Sequence, residues 1–349
     1  RINSISSTLA ITSAMKMVAA AKLQKAQMAI QNMLPYERRL YSMLLDLMGA
    51  MNISAAASED GSVRGSGSAE RGFAQSGDRL SLSNRHDLAG MDGAYSLMAQ
   101  REVRKVAIVA FASNSSLCGA FNSNAIREAT AVINEYRASG LGDADITVYS
   151  VGRKMAEAMK KLGFPSPADF TKMSDSPSYD AASALAQELF DGFVSGRFDK
   201  VELVYNHYKS TSSQPTTRQT YLPLSLADAT ADLQAGKITD SASESDTNRG
   251  AEPVGAPVVR QGSPTTEDLI VEPSKEALIA TLLPKVIRLR IFTTLLDSAA
   301  AEHAARTVAM QLATDNGNDL LQELTLEYNK GRQQKITSEI LDLVGGSMQ

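Results

Sequence analysis

Between Arg1 and Met51 apolar residues recur mostly at three- and four-residue steps: Ile2, Ile5 and Leu9, then Ile11, Met15 and Val18, then Ile30 and Leu34. That spacing predicts a long helix with a coiled-coil seam, which needs a partner helix. Ala, Met, Leu, Lys and Gln, all good helix formers, dominate the segment, and only Pro35 and Gly49 interrupt it. The seam slips phase around Ala19 to Ala21, where small side chains let another backbone approach closely. Pro35 is expected to kink the helix or divide it in two.

Residues 52–96 lose all periodicity and turn to Ser, Gly, Ala and Asp, so they read as a flexible, exposed insertion. Strand and helix patterns then alternate through a central domain at 97–226. Val106 to Phe111, Ile146 to Val151, Val201 to Tyr208 and Gln219 to Leu224 read as strands, and Ile126 to Tyr136, Arg153 to Leu162 and Ala181 to Phe193 as helices. Such alternation predicts an α/β class domain: a small, mostly parallel Rossmann-like sheet covered by helices. A second Ser-, Thr- and Pro-rich stretch at 227–267 reads as another flexible insertion.

The helical pattern returns at 268–349, strongest from Ser274 to Val344 and interrupted by Pro284, Gly317 and Gly331. At ~1.5 Å per residue these roughly 70 residues would span on the order of 100 Å if continuous. Leu321, Leu324 and Tyr328 mark one seam, and Ile336, Ile340 and Leu343 another. The two chain ends are therefore expected to pair as a long antiparallel coiled coil that projects from the α/β domain.

Composition narrows the function classes. Apolar residues make up 43% of the chain, but aromatics only 5% and there is no Trp, which argues against one large core in 349 residues. With 35 basic and 39 acidic residues the charge is nearly balanced, unlike a protein that must neutralise many phosphates. The single cysteine, Cys118, cannot form an intramolecular disulfide. Val106 to Ile126 is the longest uncharged stretch, yet its serines and asparagines rule it out as a membrane span. Lys16 and Lys22 break any secretory h-region, and the chain opens in a helical pattern without Met, so a short leading segment is expected to precede it.

Candidate chemistry is sparse. Gly65-Ser66-Gly67 lacks the third glycine of a dinucleotide fingerprint and sits in the first insertion. The loop after the first strand, Ser113 to Asn124, is the best place for a ligand in such a fold, although its Ser, Asn and Gly also suit a helix cap and a tight turn. Cys118 reads as a small buried hydrophobe, and His86, His207 and His303 lack metal-ligand spacing. Glu267 and Asp268 form a solvated pair. No catalytic residue, cofactor or metal site is expected. Polar groups Asn329, Lys330, Arg332, Gln333, Gln334 and Thr337 crowd one stretch of the last helix, as on a solvated face or a partner-binding one.

RINSISSTLAITSAMKMVAAAKLQKAQ at 1–27 resembles the opening signature of the gamma subunits of F-type ATP synthases. The stretch AARTVAMQLATDNGNDLLQELTLEYNKGRQQKITSEILDLVGG at 304–346 resembles their C-terminal signature almost position by position, and SSLCGAFNSN, VGRK, YNHYKS and LIVEPSKEAL add matches between. The resemblance implies a rotating, non-catalytic shaft inside a hexamer of three alpha and three beta subunits. Its foot would meet the epsilon subunit and the membrane ring of c subunits, on the cytoplasmic face of a bacterial membrane, and proton flow would drive its rotation. By the same resemblance Met15, Lys16, Arg332, Gln333 and Thr337 fall on positions that touch the beta subunits. Two departures stand out. Asn114, Ser115 and Ser116 replace the family's usual Asp-Arg-Gly, and no redox-switch cysteine pair follows TYLPLS, which points to a bacterial rather than a chloroplast source. Two rival readings remain: a ligand-binding Rossmann-like domain dimerised by a coiled coil, and a passive coiled-coil spacer.

Overall fold

The computed structural model describes residues 1–50, 97, 101–224 and 275–347; both expected insertions lie outside these described residues. Two helices dominate, α1 (Ile2–Ala50) and α6 (Lys275–Ser347). Between them in sequence lie β1 (Val106–Phe111), α2 (Phe121–Ala138), β2 (Ile146–Val151), α3 (Arg153–Lys161), a short α4 (Thr171–Asp175), α5 (Tyr179–Val194), β3 (Lys200–Asn206) and β4 (Thr216–Leu222). The sheet order is β2-β1-β3-β4, with the first three strands parallel and β4 antiparallel to β3. The expected α/β class and mostly parallel sheet are present.

Strand alternation sorts the core onto two faces. Ala107, Val109 and Phe111 of β1, with Tyr149, Val151 and Leu203, point to one face, where α5 supplies Leu185, Leu189 and Phe193. The same cluster takes in Leu40, Leu44 and Leu47 of α1 and Leu283, Val286, Ile287, Leu289, Ile291 and Leu295 of α6. Val106, Ile108 and Ala110 face the other way, against Ala125, Ala129, Val132 and Ile133 of α2 and Met155 and Met159 of α3. The base of the coiled coil is thus part of the core of the α/β domain.

Register between the two long helices is antiparallel. Glu37 meets Thr293, Thr12 meets Thr314, and Leu9 packs over Gly317, where an added Cβ would lie 2.7 Å from the leucine Cδ2. Ala19 is buried at the expected phase slip, and Leu23 packs on Ala300 and Ala304, so small side chains do bring the backbones together. Neither proline divides its helix: α1 runs unbroken through Pro35 and α6 through Pro284, Gly317 and Gly331. An interior proline costs roughly 3 kcal/mol by losing a backbone donor and crowding the previous turn. Burial on both sides of Pro35 (Leu23; Leu40, Leu44) and around Pro284 (Leu283, Val286) offsets that cost.

Two more sequence readings shift. α2 begins at Phe121, five residues before the predicted Ile126, because Phe121 fills a small cluster with Cys118 and Ala301. The seam Ile336, Ile340, Leu343 is exposed, and so is Tyr328, whereas Leu321 and Leu324 are half-buried. The register explains why: Thr12 with Thr314 and Leu9 with Gly317 each sum to 326, so the described residues of α1 reach only to about residue 325 of α6.

One charged cluster is buried in the sheet. Glu202 on β3 is 1% exposed and accepts hydrogen bonds from Arg218 (2.7 and 3.1 Å) and from the Tyr136 hydroxyl (2.6 Å), and it pairs with Lys200 at 2.7 Å. Arg218 reaches on to Glu135. Burial opposes ionisation of Glu202, but the bonds from Arg218, Lys200 and Tyr136 outweigh it and hold the carboxyl below its ordinary pKa. Its contribution is therefore full above the ordinary glutamate value of 4.5 and lost as the pH falls through the lower folded value. Glu202→Gln, which leaves Lys200 without its counter-ion and Arg218 with only the exposed Glu135, is expected to cost about 3 kcal/mol in denaturant unfolding at pH 7. A loss below a tenth of that would show the cluster to be solvated.

Candidate functional site

Ligands of open α/β sheets bind beyond the carboxyl ends of the strands, where neighbouring crossovers leave in opposite directions. Here that point lies between β1 and β3, lined by the loop Ala112 to Ala120 and by His207 and Tyr208. The loop is held mainly by its own side chains. Asn122 accepts from the Ser113 N–H at 3.0 Å and donates to the Ser115 carbonyl at 3.2 Å and to Cys118 Sγ at 3.1 Å. Asn114 accepts from the Arg153 N–H at 2.7 Å and donates to the Thr171 carbonyl at 2.7 Å, fastening the ends of β1 and β2. Leu117 (φ 67°) and Gly119 (φ 58°) turn the chain in the left-handed region. The tight-turn expectation therefore holds, while the capping one does not: the residue before α2 is Ala120, with no side-chain cap. Cys118 is buried at 1% exposure among Ser113, Asn122 and Phe121.

The crevice itself is filled by α6. Asp297 accepts the Tyr208 backbone N–H at 2.9 Å and bonds His207 Nδ1 at 2.6 Å; a carboxylate only accepts, so the ring nitrogen carries the proton. Gln27 of α1 donates to the Tyr208 hydroxyl at 2.6 Å. Ala301 packs on Cys118 and Phe121, and Tyr208 packs beside them. Farther up α6, Arg306 bonds Ser115 Oγ at 2.6 Å and pairs with the buried Glu302 at 2.6 Å. Burial pushes the Glu302 carboxyl above its ordinary pKa, with Arg306 opposing that shift. Sequence reading marked this loop as the place for a ligand, but only the fold shows what occupies it. No local signal could have joined Ser115 to Arg306 or Tyr208 to Asp297, since 191 and 89 residues separate them.

Beyond the α/β domain the described residues are those of the two long helices. A family model described as ATP synthase matches residues 1–348. The ATP synthase gamma chain of Phocaeicola vulgatus is 46% identical over 348 residues, covering 100% of this chain and 96% of that one. That of Bacteroides thetaiotaomicron is 44% identical over 349 residues, covering 100% and 97%. The chain belongs to the ATP synthase gamma-chain family. A central-stalk chain of the Tetrahymena thermophila mitochondrial ATP synthase is similar over 87% of this chain and 99% of that one, at 19% identity and a TM-score of 0.45, too low to add to the argument. Among the described residues no helix is long and apolar enough to cross a membrane.

The residues singled out by family resemblance fall in two places. Met15 and Lys16 are half-buried on the two-helix stretch, beside about residue 311 of α6 by the register above. Arg332, Gln333 and Thr337 are exposed near the end of α6, where Thr337 Oγ1 donates to the Gln333 carbonyl at 2.9 Å. Roughly 30 Å of helix separates the two groups, so they form no single site. A shallow groove along this part of α6 is lined by Lys330, Gln333, Gln334, Thr337, Ser338 and Leu341.

One buried base is exceptional. His303 Nδ1 has no hydrogen-bond partner among the described residues. Burial, helped by the nearby charges of Arg306 and Lys22, lowers its pKa from 6.5 to about 4. The unfolded chain then binds more protons than the folded one between those values, so stability falls as the pH drops from 6.5 towards 4. His303→Gln should flatten that part of the curve when thermal midpoints are followed from pH 7 to pH 4. A parallel decline in parent and variant would show that His303 is not the titrating group.

Proposed function

We propose that this chain is the central-stalk rotor of an ATP synthase, a mechanical element with no catalytic residue of its own. The observation that carries the reading is the two-helix shaft, rooted in the core of an α/β domain and running along α6 from Lys275 to Ser347. An exposed helix carrying Leu326, Tyr328, Ile340 and Leu343 beside lysine, arginine and glutamine suits a surface that slides within a protein sleeve. Its relatives are named as ATP synthase gamma chains, which supports alpha and beta subunits as that sleeve, with an epsilon subunit and a c ring at the foot.

In this reading proton flow turns the foot, and the asymmetric shaft favours one set of beta-subunit conformations at each angle. That is conformational coupling: rotation changes which catalytic state has the lowest free energy. Met15 and Lys16 would meet the beta subunits low on the shaft, and Arg332, Gln333 and Thr337 near its tip. The foot would lie at the cytoplasmic face of a bacterial membrane. The ligand-sensor alternative needs the crevice between β1 and β3, which α6 occupies.

Mixing the chain with alpha and beta subunits of the same organism should give a complex with one copy per three beta subunits and raised ATP hydrolysis. No association with folded alpha and beta would remove the rotor reading. Within the complete membrane complex, Met15→Lys places a new cation against the beta subunits, so ATP-driven proton pumping per ATP hydrolysed should fall severalfold. A passive spacer would leave that ratio unchanged.

A further inference from the structure

In the α/β domain the crevice that would normally receive a ligand receives this chain's own shaft. α6 leaves the apolar core at Leu295 and crosses the carboxyl edge of the sheet from Asp297 to Ala309. Over that stretch its apolar contacts shrink mainly to alanines, among them Ala300, Ala301, Ala304 and Ala305, and polar ties join them. Asp297 holds the backbone at the end of β3, and Tyr208 continues the chain of bonds to Gln27, so one residue pair fastens the sheet edge to both shaft helices. Arg306 makes the next tie, to Ser115 in the loop after β1.

From this geometry we infer that the crevice is a torque socket, and that Asp297 is a positioning residue that keeps the shaft from twisting against the α/β domain where it emerges. The inference rests on the rotor reading and adds to it the place where the α/β domain and shaft are locked. Alanines permit close approach but resist rotation about the helix axis poorly, because they present little side chain to catch. Directional bonds at Asp297 and Ser115 supply that resistance, and charge-assisted ones hold their geometry best. Each tie removed lengthens the part of the shaft that is free to twist, and the angular variance of an elastic rod grows with its free length.

The test uses the immobilised complex, with a gold nanorod attached to the α/β domain through Lys160→Cys at an exposed position of α3. Angular fluctuation is recorded during the pauses of ATP-driven rotation. Ser115→Ala with Asp297→Ala removes both ties and leaves the Arg306–Glu302 pair intact. The last firm attachment then retreats from Arg306 to Leu295, and the stretch below Arg332 grows from 26 to 37 residues. Variance in the pauses should therefore rise about 1.4-fold, in proportion to helix length, while ATP hydrolysis stays near the parent rate. An added Cβ at Gly119 would stand 3.8 Å from Ala309 Cβ, a separation suited to a disulfide, so Gly119→Cys with Ala309→Cys should clamp loop to shaft when oxidised. That clamp should return the variance of the double variant to the parent value. Unchanged variance in an assembled, ATP-hydrolysing double variant overturns the socket. If the double variant does not assemble, the clamp alone decides: in the parent it should narrow the distribution, and no narrowing overturns the socket. A parent complex whose nanorod does not rotate with ATP would instead defeat the rotor reading itself.

Discussion

The packing of the first third of α6 is the interaction on which the rest depends. From Ile279 to Leu296 the helix buries side chains around most of its circumference, against β strands, α5 and the far end of α1. A helix that is apolar all round has to be enclosed. Enclosure here joins three things that could have been separate: a sheet domain, an N-terminal helix and a C-terminal helix. Leu40, Leu44 and Leu47 reach the same core from α1, so the two chain ends meet inside the domain before they run out together as a coil. The shaft is therefore rooted rather than attached. Bending it at the base would mean opening a core whose leucines and valines are closed to solvent.

Above that root the character of the contact changes along a gradient. The two-helix stretch keeps half-buried positions at Gln311, Thr314, Gly317, Leu321 and Leu324, steps of three and four residues that mark one helix face turned to its partner. Its side chains are small or polar at several of these steps, and Thr12 meets Thr314 through hydroxyls. Such a seam holds two helices in register with modest burial. Past about residue 325 every residue through Leu343 except Asn329 is exposed among the described residues. Burial among the described residues thus decreases from the root along α6.

Much of this was legible from residues alone, for reasons that differ by element. β1 and β2 were placed to the residue because they are short apolar runs bounded by charge or turn signals, the strongest local signature of a buried parallel strand. The long helices were legible from seam spacing and helix formers. Of the two outcomes expected at Pro35, a kink or a division, the division does not occur, and α6 likewise runs through Pro284, because tertiary burial, invisible in a window of sequence, overrides the local cost. The polar start of α2 misled in the same way: Asn122 and Asn124 read as turn residues, yet Phe121 is drawn into contact with α6. The ties at the carboxyl edge were not legible at all. Asp297, Tyr208, Ser115 and Arg306 are ordinary surface-type residues until the fold brings them together.

The occupied crevice also shows how a ligand-binding architecture can serve mechanics. A Rossmann-like sheet gathers loop backbone, hydroxyls and helix ends at one edge, ready to hold something directional. In an enzyme that something is a cofactor, held in one orientation by a few well-placed polar groups in an otherwise apolar pocket. The requirement on a shaft is the same in kind, because fixing orientation is what prevents slip. Asp297 bonding a strand-end N–H, with Ala301 packed on Cys118 and Phe121, reproduces the pattern of one polar anchor on an apolar floor. The absence of a glycine fingerprint then has a positive meaning. Glycines in that motif make room for a pyrophosphate, and here the space is taken by alanines of the chain's own helix, so the edge needs no opening of that shape.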